Sequence, residues 1–156
     1  MPKNGNTSGP GANGEAEKSG IDPSTIAAYK ETDYNVDAGS PFVLRVDEAC
    51  KELAIHFKKA KVDCCAYITA VNPFSKSLDA ACNAGRQADL ERELKHRCLA
   101  FIPGIGQHPS NEWPGESSFL VLGLSLEAAK TMGRKYEQNA LVWAGPDMTP
   151  RLILLR

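Results

Sequence analysis

Residues 64–71 read CCAYITAV, a nearly all-apolar stretch. A short, nearly all-apolar run that stops at Asn72-Pro73 reads as a strand buried on both faces, and it falls far short of the roughly 20 residues that cross a bilayer. Pro73 explains why it stops, because proline cannot donate to a ladder and biases the residue before it toward extended backbone. The segment 78–97, LDAACNAGRQADLERELKHR, then carries a helical period with Leu90 and Leu94 on its buried stripe and charge outside. A buried strand feeding a long amphipathic helix restricts the chain to folds in which helices cover a sheet.

The remaining pattern repeats that alternation. Strands are expected at PFVLRV (41–46), LAFIP (99–103), SSFLVLGL (117–124), ALVWA (140–144) and RLILLR (151–156), the last two forming a closing hairpin. Asp47 is placed to cap a helix carrying Cys50, Leu53, Ala54 and Phe57. Ser125 is placed to cap another carrying Ala129, Met132, Gly133 and Tyr136, with Asn139 as its stop. The order predicts an α+β fold, a mainly antiparallel sheet with helices packed on one face. Its centre would be a ferredoxin-like β-α-β-β-α-β core, with an extra N-terminal β-α and a C-terminal strand. Residues 24–156 are expected to form one domain, against which Tyr29 and Tyr34 pack. Residues 1–23, rich in Gly, Asn, Ser and Pro, are expected to be a disordered tail because they offer little surface to bury.

Charge is nearly balanced, 18 Lys+Arg against 19 Asp+Glu. Without a basic excess or stripe, nucleic acid is set aside as a partner. The absence of a membrane-length apolar run and of a secretory pattern points to a cytoplasmic protein with no membrane partner. The 5 cysteines form no C-x-x-C pair, so packed free thiols are expected rather than disulfides or a metal site, and no cofactor is implied.

Candidate functional residues gather at the end of the first buried strand. Asn83 and Gln87 share the inward face of the long helix with Leu90, and an inward amide must find partners. Both lie close in sequence to Asn72 and Ser75, so they either pin the strand to the helix or hold a small polar ligand. Gly104 and Gly106 lack the third glycine and following helix of a dinucleotide fingerprint, and read as turn glycines opening a long loop, 104–116. His108 is the one histidine in that loop, and Glu116 closes it. Ser75, His108 and Glu116 could be assembled as a triad on paper, but no G-x-S-x-G supplies a nucleophile. Arg134, Gln138 and Asn139 surround the end of the last helix. A ligand-binding face at these positions is expected, with no residue assigned to catalysis.

Several of these stretches together resemble a known family. AYITAVNPFS, Asn83 in the following helix, PGIG, WPGESSFLVLGL and GRKYEQNALVW, with AYKETDYNV upstream, resemble the bacterial domain of unknown function (DUF) 3293 family over about residues 27–155. Val71 stands where that family commonly has an aromatic, and Cys98 where a glycine is usual. The resemblance implies a bacterial cytosolic protein and brings no activity with it. The leading expectation is therefore a non-catalytic module binding a small ligand or a partner protein. The alternative is an enzyme acting on a nucleotide or other phosphorylated metabolite, its anion held by Arg86, Arg134 or the Gly104–Gly106 amides.

Overall fold

The computed structural model describes residues 19–156. The expected disordered tail falls mostly on residues 1–18, outside the described residues. Ile21 is buried, and Asp22 caps a helix by accepting from the Ser24 amide at 3.0 Å. That helix, α1 (Pro23–Glu31), leads into β1 (Asp33–Val36) and β2 (Phe42–Leu44). There follow α2 (Leu53–Ala60), β3 (Cys65–Ile68), a 3₁₀ turn at Pro73–Ser75, α3 (Ala80–His96) and β4 (Phe101–Gln107). The chain ends with β5 (Glu116–Leu122), α4 (Leu126–Lys135), β6 (Ala140–Ala144) and β7 (Arg151–Leu154). Ser19 Oγ donates to the Arg156 carbonyl at 2.9 Å.

All seven strands join one sheet in the order β2-β1-β4-β5-β3-β6-β7, and every neighbouring pair is antiparallel. The expected β-α-β-β-α-β stretch runs from β3 to β6, with its strands ordered β4-β5-β3-β6. The sheet is curled. The Asp47 amide donates to Pro150 at 2.7 Å and the Cys50 amide to Met148 at 2.9 Å, so the chain leaving one edge strand bonds the chain entering the other. A flat sheet of seven strands spaced about 4.8 Å apart could not bring its edges together in this way.

Strand alternation divides the core in two. On one face Ala66, Ile68, Phe119, Val121 and Leu141 pack against Leu90 and Leu94 of α3 and Met132 of α4. On the inner face of the curl, Cys65, Tyr67, Leu120, Leu122 and Val142 pack against Leu53 and Phe57 of α2. Helices thus lie on both faces, not on one as the element order suggested. The curl makes the difference, because its concave face would stand open unless α2 filled it.

Three local expectations also change. Asp47 is not a helix cap: it sits at φ 66° in a turn, and α2 begins at Leu53 without a side-chain cap. The left-handed residue ending α4 is Glu137 (φ 58°), while Asn139 is buried beyond it. The glycines expected to open a loop lie within β4, and the loop is confined to 108–115. A Cβ on Gly104 would stand 1.9 Å from the Asn35 carbonyl oxygen, so glycine here permits the close approach of β1 rather than a turn.

Candidate functional site

The backbone beyond β3 is tied down by α3. Gln87 Oε1 accepts from the Ala70 amide at 3.0 Å. Asn83 and Asn72 exchange bonds: Asn83 Oδ1 accepts from the Asn72 amide at 2.9 Å, and Asn83 Nδ2 donates to Asn72 Oδ1 at 2.8 Å. The Leu78 amide donates to that same Asn72 oxygen at 3.0 Å. Arg86 donates to the carbonyls of Ala70 and Tyr136, each at 2.6 Å. The inward polar residues of α3 therefore brace the strand end and stand behind the site rather than in its wall.

What they brace is a strained turn. Asn72, Phe74 and Ser75 have φ of 51°, 52° and 59°, left-handed values that cost an L-residue about 1–3 kcal/mol each. Asn72 precedes a proline yet is not extended, against the usual bias. The turn persists because it is held from outside. The Phe74 amide donates to Glu137 at 2.6 Å, the Arg156 guanidinium lies 4.5 Å over the Phe74 ring, and Gln138 Nε2 donates to the Val71 carbonyl at 3.2 Å. Ser75 Oγ is turned toward α1, where it bonds the Tyr29 hydroxyl, and Asn139 Nδ2 donates to both oxygens at 3.1 Å.

Between α1 and the inner face of the sheet lies a cavity of about 400 Å³, within the usual range for small-molecule sites. Its floor is formed by Tyr67, Ser118 and Val142, one wall by Thr25, Ala28 and Tyr29 of α1, and its rim by His108 and the half-exposed Trp113. The Tyr34 and Tyr67 rings meet edge-on at 5.3 Å. His108 Nε2 donates to Glu31 of α1 at 2.8 Å, while its ring meets Trp113 edge-on at 4.7 Å.

Glu116 is the carboxylate of this cavity. Burial pushes its carboxyl above the ordinary value, and the Asn72 side chain pulls part of the way back. Since Asn72 Oδ1 is taken by Leu78 and Asn83, its Nδ2 is the end of the amide left to face Glu116. Burial likewise pushes the Tyr34 and Tyr67 hydroxyls far above their ordinary range, and the Cys65 thiol up to about 12. None of these three is a ready nucleophile.

Of the residues expected from the sequence, Asn72, Ser75, Gly106, His108, Glu116 and Asn139 line the cavity. Asn83 and Gln87 support it from behind. Gly104 is buried in the strand ladder, and Arg134 lies exposed on α4, away from the cavity. The triad does not form: Ser75 bonds Tyr29, His108 bonds Glu31 and Ser110, and no bond joins the three residues. The groups proposed to hold an anion are committed elsewhere, Arg86 to carbonyls and Glu137, and the Gly104–Gly106 segment to strand pairing on both sides. Sequence reasoning missed Tyr67, Thr69 and Trp113. Tyr67 carried a signal, since a tyrosine inside a buried aliphatic strand must find a partner for its hydroxyl.

Among the described residues, no group of three or more His, Cys, Asp or Glu is arranged to hold a metal ion. No helix among them is long and apolar enough to cross a membrane. Fold and cavity together define a small α+β protein built on one curled antiparallel sheet, with a polar, aromatic-lined chamber under its first helix. Residues 68–141 match the model of a family described as "Protein of unknown function (DUF3293)", so over that stretch the chain resembles the family its motifs suggested. The matched segment runs from the end of β3 to the start of β6 and includes Asn72, Glu116 and the turn between β3 and α3. No curated protein and no solved structure matches the chain.

Proposed function

We propose that the protein is a non-catalytic binding protein for a small polar molecule, housed in the cavity between α1 and the inner face of the sheet. The observation that carries this reading is a preformed chamber of about 400 Å³ in which a largely buried carboxyl and several aromatic rings converge. A concave chamber of this size favours a small ligand over a partner protein. A bacterial cytosolic setting fits the family resemblance and five free cysteines, which suit a reducing compartment.

Filling the chamber tests the reading. Ala28 faces it from α1, so Ala28→Trp should occupy it with little change in the unfolding midpoint. A thermal-shift screen of amino acids, amines, nucleosides and sugars should find compounds that stabilise the wild type and not the variant. A ligand at about 100 times its dissociation constant should add about 2.7 kcal/mol. Hits that stabilise both proteins equally would place binding outside the cavity and defeat the proposal.

A further inference from the structure

Ten hydroxyls line the cavity, and five of them spend their proton on a backbone carbonyl. Thr32 donates to Ala28 at 2.7 Å, Tyr34 to Tyr29 at 2.6 Å and Tyr67 to Asn35 at 2.8 Å. Thr69 donates to Ser117 at 2.7 Å and Ser118 to Glu116 at 3.0 Å. A carbonyl can only accept, so the direction of all five bonds is fixed, and a hydroxyl that has given its one proton offers only lone pairs. The amides follow suit: Gln138 Nε2 donates to the carbonyls of Val71 and Tyr136, and Asn139 Nδ2 to Tyr29 and Ser75.

Charge leans the same way. No lysine or arginine lines the cavity, and its one acidic residue, Glu116, makes no side-chain ion pair among the described residues. His108, at the rim, is already turned to Glu31. The Tyr34 and Tyr67 rings beside the carboxylate add electron-rich faces, which attract cations. A partly buried carboxylate with no cation paired to it among the described residues attracts one from outside.

We infer that the ligand is a donor-rich organic cation, a protonated amine or a guanidinium, whose charged head lies against Glu116 and whose carbon chain lies toward Ala28, Val142 and Leu152. This rests on reading the cavity as a ligand site. Most of its volume remains beyond the head group, so a bare ammonium ion would leave it largely unfilled. The inference also separates the protein from one that takes phosphorylated metabolites, for which the lining offers no positive charge.

The test compares four probes by titration calorimetry and ligand-observed NMR: butylguanidine, butylamine, the neutral isostere butylurea, and butyrate. In the wild-type protein the two cations should bind at least about tenfold more tightly than butylurea, the scale expected for a charge-assisted bond, and butyrate should not bind. Glu116→Gln should remove that advantage and leave butylurea unchanged. Because cation and isostere are compared in the wild type, the result stands whether or not the variant folds. Butylurea binding as well as butylguanidine, or butyrate binding at all, would overturn the inference while leaving the cavity reading intact. Failure of all four probes, with other compounds still displaced by Ala28→Trp, would also overturn it. Failure of the wider screen as well would remove both.

Discussion

The two sides of β3 and its neighbours are covered in opposite ways. On the outer side α3 and α4 press Leu90, Leu94 and Met132 into an apolar core with no measurable exposure beyond 1%. On the inner side α1 buries none of its residues. It is held instead by polar contacts: the Tyr29 hydroxyl to Ser75, Glu31 to His108, and the Tyr29 carbonyl to the Tyr34 hydroxyl. The difference teaches where stability and function are separately invested. Apolar burial, by α3 and α4 outside and by Leu53 and Phe57 of α2 within, supplies stability, whereas a helix attached by a few exposed bonds can border a solvent-reachable cavity and still move.

Breaking the outer side should have the largest effect. Leu90→Ala should destabilise by about 2–5 kcal/mol, because it removes transfer energy and leaves a void in close packing. Denaturant unfolding reads this directly, and a loss below about 1 kcal/mol would show that α3 is not the main anchor. Asn83→Ala comes next. It leaves the Asn72 amide and one acceptor bond unpartnered behind the strained turn, so about 1–3 kcal/mol should be lost by the same measurement. An unchanged midpoint would mean that water or a rearranged turn replaces it.

Loosening the inner side should matter less. Tyr29→Phe removes the hydroxyl shared by Ser75 and Asn139 and should cost about 0.5–1.5 kcal/mol. The amides of α1 should nevertheless exchange hydrogen much faster than those of α3 in the wild type. Equal protection of the two helices would erase the contrast between the faces. The smallest effect concerns Glu116, and its sign is opposite. Its folded carboxyl is held above the ordinary value of 4.5 by burial, so the unfolded carboxyl ionises first as pH rises. Stability is thus lost as pH climbs from 4.5 through the raised value, and Glu116→Gln should escape that loss. The variant should match or exceed the wild type at neutral pH, and the gap should close as pH falls below 4.5. A variant less stable than wild type at neutral pH would mean that the charge is compensated within the protein.

The outer side was also the legible one. The stripes of α3 and α4, the strand β6 and the cap Ser125 belong to continuous segments whose period and end groups identify them without knowledge of the rest. The inner side is assembled from long-range contacts that no window of sequence contains. β1 is four residues long, alternates polar and apolar, and exists because β2 and β4 pair with it on either side. Gly104 and Gly106 look like loop residues until the Asn35 carbonyl is seen pressed against Gly104. Asn72, Ser75 and Glu116 could be picked out as polar residues at strand ends. Their meeting with Tyr29, Tyr67 and Thr32 depends on the curl, which follows from no single motif.

The bond from Ser19 to the Arg156 carbonyl closes the folded unit almost into a ring. A linker of a few residues from 156 to 19 would keep every strand paired, and the ring could be reopened between β4 and β5, where residues 109–115 are exposed. New ends made there would stand beside Trp113, at the mouth of the chamber. A fluorescent domain joined to them would report on the proposed occupancy of the chamber, turning a circularly rearranged form of this chain into a direct readout of whether a ligand enters it.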